Sequence, residues 1–138
     1  MNFALNFETV VNYDPGSAGI SIDVELRLGD MSGLFAAKVD TGSTHCIFAR
    51  ECAEHLSIDI ETGDERIVHT VRGSFLTYGH AVTLIAAGFM FDSVVFFAVD
   101  ESVNRNVLGR HGWLDRVVIG LNDYEGKLYV SGYDPNPI

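Results

Sequence analysis

Val39-Asp40-Thr41-Gly42-Ser43 is the stretch from which the rest of this chain is read. An apolar run over residues 34–39 delivers an acid straight into a tight turn, where Gly42 supplies backbone angles that other residues avoid. A carboxylate at the end of a buried strand is unfavourable unless it is hydrogen-bonded or shared. Thr41 and Ser43 offer hydroxyls and Gly42 admits a close backbone N–H, so the stretch holds a carboxylate rather than hides it. Asp-Thr-Gly alone also fits an ordinary turn, in which Asp and Gly are common. Context separates the two. The triplet precedes a second apolar pair, Ile47-Phe48, and about 65 residues later comes Asn106-Val107-Leu108-Gly109-Arg110, two apolar residues followed by Gly and Arg.

Outward from that stretch the periodicity is that of strands. Ile20, Ile22, Val24, Leu26 and Leu28 alternate with Ser21, Asp23, Glu25 and Arg27, and Gly29-Asp30 then supplies turn chemistry. Phe3, Leu5 and Phe7 alternate in the same way, which predicts an extended N-terminal arm over residues 1–17. Residues 67–71 and 75–84 flank Arg72-Gly73-Ser74, read as the tip of a hairpin. Residues 94–99 are nearly continuous apolar, as in a strand covered on both faces, and 117–121 and 127–130 form a second hairpin around 122–126. Helix is scarce: residues 49–56 have good formers, and a short turn starts near Arg110 and carries Trp113 and Leu114. Trp113, Phe89, Phe91, Phe96 and Phe97 read as core. The Pro-rich end, 133–138, is expected to fray. The expectation is one domain over 1–138, an all-β closed barrel or sandwich with little helix.

The chain resembles the retropepsin-like aspartic proteases, single-domain relatives of pepsin that work as dimers. Ala37-Lys38-Val39-Asp40-Thr41-Gly42-Ser43-Thr44 is similar to the active-site strand and loop of that family, and Val107-Leu108-Gly109-Arg110 to its second signature. Gly112-Trp113-Leu114 is similar to the short helix that follows, and residues 117–130 to the closing hairpin. The resemblance covers roughly residues 20–130. It implies an acid-protease closed barrel with one short helix after the active-site loop and another near the C-terminal part. It implies Asp40 as the catalytic carboxylate and Thr41 as a brace reaching across a dimer axis. Gly42 would let the loop turn and touch substrate, and Ser43 would donate to the outer oxygen of Asp40. Gly109 would sit close against the loop, where a side chain would not fit. Arg72, Gly73 and Ser74 would belong to a substrate-covering flap. Many retroviral members place an acid where this chain has Thr44, paired to the Arg of the second signature, so Arg110 needs another partner, such as a carbonyl.

Peptide cleavage by such an enzyme needs two carboxyls, one acting as general base on water and one hydrogen-bonding the scissile carbonyl. A pepsin-sized chain contributes both acids, whereas this one has a single Asp-Thr-Gly and about half that length. The resemblance therefore implies a homodimer in which Asp40 meets its twofold copy, acting on extended peptide or protein substrates. Apolar terminal stretches, 3–7 and 128–130, are expected at the interface. Two other readings stand beside this one. One is a catalytically silent retropepsin-like dimerisation or peptide-binding module, since a fold does not fix a function. The other is a monomer activated only by high concentration or processing.

Composition narrows the partners. The 138 residues fit one domain, and the 47% hydrophobic content disfavours disorder. Nineteen acidic residues against nine basic give a net charge of −10, which disfavours nucleic acid and anionic membrane surfaces. Residues 1–11 show no secretory-signal pattern, and the longest apolar run, 93–99, is far below a membrane span. Cys46 and Cys52 lie six apart, without metal spacing or a disulfide framework, so free thiols and a cytoplasmic location are expected. His45, His55, His69, His80 and His111 share no metal spacing, and neither a metal nor another cofactor is expected. No Gly-x-Ser-x-Gly element or phosphate loop occurs. A Cys46–His45 nucleophile is disfavoured because neighbours along a strand point to opposite faces.

Overall fold

The computed structural model of the chain describes residues 1–133. Strands β1 (Thr9–Asn12), β2 (Ser21–Leu28), β3 (Met31–Val39) and β4 (Ile47–Phe48) precede the helix α1 (Arg50–His55). Then follow β5 (Asp64–Thr70), β6 (Gly73–Ala86), β7 (Phe89–Ala98), β8 (Val107–Leu108), β9 (Val117–Asn122) and β10 (Lys127–Gly132). One sheet runs β2-β3-β8-β4-β7-β6-β5, and β2 also pairs with β6, so six of its strands close into a ring while β5 hangs from β6 as the outer arm of a hairpin. A smaller sheet, β1-β10-β9, packs its buried Leu128 and Val130 into the same core.

The two-residue period explains the ring. Ile22, Val24 and Leu26 of β2 face inward against Val82, Leu84 and Ala86 of β6, while the intervening polar residues of β2 face water. Gly29 at φ 59° makes the β2–β3 turn. The β6–β7 hairpin turns through Ala87-Gly88 at φ 54° and 86°, two left-handed residues in the twist that suits a two-residue loop. Thr9 ties the small sheet to this turn by donating its hydroxyl to the Ala87 carbonyl at 2.8 Å. Helix α1 turns Cys52 and Ala53 into the core and gives way to Ser57, at φ 57°.

Several expectations need adjustment. The second hairpin strand β7 begins at Phe89, and its Val94 is 45% exposed, so only Val95 to Ala98 is covered on both faces. The helix expected near the C-terminal part is a three-residue 3-10 turn, Leu114–Arg116, because Gly112 and the β-branched pair at Val117-Val118 leave no room for a longer one. Apart from Tyr133, the fraying tail lies outside the described residues. Trp113, Phe89, Phe96 and Phe97 are buried as expected, and Phe91 is half-buried. Among the described residues no helix is long and apolar enough to cross a membrane.

Asn106 fastens three segments. Its side-chain oxygen accepts the Ala49 amide at 2.9 Å, its side-chain NH2 donates to the Ala36 carbonyl at 3.1 Å, and its own carbonyl accepts the Lys38 amide at 2.9 Å. Ala49 is buried, so its amide would lose its partner in Asn106→Ala. That variant is expected to lose about 2–3 kcal/mol of stability. Asn106→Asp keeps the acceptor and should lose less. The check is the denaturant midpoint at unchanged m-value.

Both cysteines are free and buried, and burial pushes each thiol up to about 11. Near pH 8 the native protein should therefore react with a thiol reagent roughly a hundredfold more slowly than the denatured chain. Rapid modification of the native protein would contradict the packing around Cys46 and Cys52.

Candidate active site

Backbone bonds on two sides fix the end of β3. The Val39 amide donates to the Ile20 carbonyl at 2.8 Å and the Asp40 amide to the Leu108 carbonyl at 3.0 Å, beside the parallel pairing of β3 with β8. The chain then turns sharply, the Ser43 amide donating to the Asp40 carbonyl at 3.2 Å. Within this turn the Gly42 amide donates to Asp40 Oδ1 at 2.9 Å. Asp40 is half-buried, and Thr41, Gly42 and Thr44 are exposed. The carboxylate is thus oriented by a backbone dipole and still open to a reactant.

The second signature lies directly behind. The Arg110 amide donates to the Ser43 carbonyl and the His111 amide to the Thr44 carbonyl, each at 2.8 Å. A Cβ on Gly109 would stand 2.2 Å from the His45 carbonyl oxygen and 2.8 Å from that of Ser43, so only glycine fits between these backbones. Two details differ from the resemblance. The Ser43 hydroxyl donates to the His45 carbonyl at 2.7 Å and not to Asp40, because that carbonyl lies within reach inside the same turn. Arg110 presents an exposed side chain and makes none of the ion pairs among the described residues, so no described acid takes the place left by Thr44.

The β5–β6 hairpin covers the loop. Thr70 pairs with Gly73, so the tip is Val71-Arg72, one residue earlier than Arg72-Gly73-Ser74. Gly73, at φ 130°, and Ser74 open β6. Thr70 braces the tip, its hydroxyl donating to the Gly73 carbonyl at 2.9 Å and accepting the Arg72 amide at 3.3 Å. Between hairpin and loop lies a cleft of about 470 Å³ in which Asp40 is the sole carboxylate among the described residues. Ile47 and Val107 give it an apolar floor, packed with Phe96 and with Val68 and Phe75 of the hairpin.

Sequence reasoning gave no role to His45, Arg66 or Arg105, which also line the cleft. Only Arg66 left a trace, as a cation in alternation with Val68 and Thr70 on a strand. Burial, then the charge of Arg66, then that of His111 hold His45 below its ordinary range. Among the described residues no group of three His, Cys, Asp or Glu side chains could hold a metal ion.

The profile of a family described as Aspartyl protease matches residues 14–120. A comparison with curated protein sequences found no significant match. Among solved structures, a retropepsin-like aspartic protease from Rickettsia conorii superposes with a TM-score of 0.63 at 14% identity, over 93% of this chain and all of that one. The EIAV protease complexed with the inhibitor HBY-793 superposes with a TM-score of 0.56 at 17% identity, over 72% of this chain and 88% of that one. At such identities the superpositions speak for the fold, which is retropepsin-like, and the profile, which runs through both Asp40 and Gly109, for descent: the chain belongs to the aspartyl protease family.

Proposed function

We propose that the chain is one half of an aspartic endopeptidase, a homodimer that hydrolyses extended polypeptides with one Asp40 from each subunit. The observation that carries this reading is a cleft of peptide-binding size to which the described residues contribute a single carboxylate, half-open and held by a backbone amide. Aspartic proteases use two carboxyls that share one proton, because like charges in contact cannot both ionise. The ionised member takes a proton from water as it attacks the scissile carbonyl, and the protonated member hydrogen-bonds the carbonyl oxygen. The described residues supply only one such acid to this cleft, so a twofold copy supplies the other.

Thr41, exposed beside Asp40, is the residue we assign to bracing the partner's loop. Gly42 holds the carboxylate through its amide, Gly109 lets the second signature approach the loop, and Ser43 stabilises the turn through His45 rather than through the carboxylate. Residues Val71 to Ser74 close over substrate, whose backbone can pair with the hairpin while its apolar side chains meet Ile47 and Val107. Leu128 and Val130 are fully buried within their own subunit, so they are not free for the interface. Phe3 and Leu5, 88% and 67% exposed, take that role. Two chains at −10 each carry about −20, so pairing should tighten as salt screens the repulsion.

Sedimentation and peptide cleavage followed over one dilution series test the reading. Activity per chain should fall as the dimer dissociates, and should recover on addition of salt at fixed protein concentration. Undiminished activity in a sedimenting monomer would refute the paired mechanism.

A further inference from the structure

The chain is strongly acidic, yet its cleft is basic. Apart from Asp40, the ionisable side chains lining it among the described residues are Arg66, Arg105, His45 and His69. Two of only nine Lys and Arg residues thus line the cleft, against a single acid among the described residues.

Arg66 is an exposed residue whose backbone is pinned and whose guanidinium rests on an aromatic ring. It sits on β5 opposite the buried Thr77, whose hydroxyl donates to the Arg66 carbonyl at 2.8 Å and pins the backbone there. The guanidinium lies over the ring of Phe96, 5.2 Å from its centroid. Stacking on an aromatic face keeps the guanidinium planar and leaves its N–H edges free to bind a carboxylate in the plane. No acid takes those edges: the ion pairs among the described residues involve Arg27, Arg50 and His111, and neither Arg66 nor Arg105. Its charge is felt inside the cleft, since it is one of the causes, after burial, that keep His45 low.

We propose that this cleft selects peptides with an acidic side chain close to the scissile bond, and that Arg66 is the residue that receives that carboxylate. The inference builds on the peptide-cleaving reading above and adds its substrate class. A charge-assisted bond in a partly covered site favours glutamate over its neutral isostere by about tenfold. Because the chain as a whole repels anions, the selection is a contact effect that matched peptides isolate.

The test uses peptide pairs that differ only by Glu against Gln, scanned through the positions flanking the cleaved bond. Wild type should show a kcat/KM ratio for Glu over Gln of about ten at one position. Arg66→Gln should bring that ratio close to one, and Arg66→Glu should shift preference to a Lys peptide. The wild-type ratio should also fade as the peptide glutamate protonates, near pH 4. A second measurement does not depend on hydrolysis: fluorescence anisotropy of the same labelled peptides on Asp40→Asn, with and without Arg66→Gln. Tighter Glu-peptide binding that vanishes with Arg66→Gln, without cleavage by wild type, would uphold the acid subsite and sink the protease reading. Cleavage with equal Glu and Gln ratios, or a preference unchanged in Arg66→Gln, would overturn the acid subsite and leave the protease reading standing. Absence of both binding and cleavage would overturn both.

Discussion

Asparagine in place of Asp40 is expected to lower kcat/KM on a cleavable peptide by about a thousandfold or more, at nearly unchanged stability. The substitution keeps the side-chain oxygen that accepts the Gly42 amide, so the turn should stay as it is. What is lost is the ability to take a proton from water, and among the described residues no other carboxylate lines the cleft to replace it. Mixing sharpens the measurement. In an equimolar mixture of wild type and Asp40→Asn, only about a quarter of randomly formed dimers carry two Asp40 carboxyls. Activity that tracks this quarter indicates a shared site, and activity proportional to wild-type chains indicates independent ones. Residual activity in pure Asp40→Asn equal to wild type, insensitive to a pepstatin-type inhibitor, would remove Asp40 from the chemistry.

The second large effect is predicted at Gly109. Alanine there drives a methyl group into two carbonyl oxygens and a carbonyl carbon of the active-site loop, at 2.2, 2.6 and 2.8 Å. All three atoms are backbone, and both segments are already tied by the amides of Arg110 and His111, so neither can rotate away as a side chain would. Overpacking of this kind destabilises by about 3 kcal/mol, which for a domain of this size lowers Tm by about 10 °C. Activity should fall as well, because any relief of the clash displaces Ser43 to His45 and with them the turn that aims Asp40. A variant that melts within about 2 °C of wild type and retains activity would show the two loops to be less closely packed.

How legible these features were depends on the range over which each is determined. The inward face of β2 and the Gly29-Asp30 turn follow from local alternation and turn chemistry, and both were readable. The β6–β7 turn was not flagged because Ala87 holds a left-handed angle without the Asn or Asp that usually announces one. The two-residue strands β4 and β8 carry no periodicity at all, and their placement comes from long-range pairing with β7 and β3. Gly109 is constrained by the backbones on either side of it, and Asp40-Thr41-Gly42 stood out because an acid follows an apolar run directly into a turn. Ser43 did not reveal its partner, since a hydroxyl can turn to whichever acceptor is nearest. The basic lining was hidden for a different reason: Arg66 and Arg105 are 39 positions apart in sequence, and only folding gathers them around the cleft.

The pairing of β2 with β6 has a consequence for solubility. Closure leaves β5 as the one strand of the larger sheet, among those described, that has a neighbour on a single side over its whole length. An open strand margin is a place where other chains can stack into fibril-like aggregates. Asp64, Glu65, Arg66 and His69 crowd that margin with charged and polar groups, which discourage such growth.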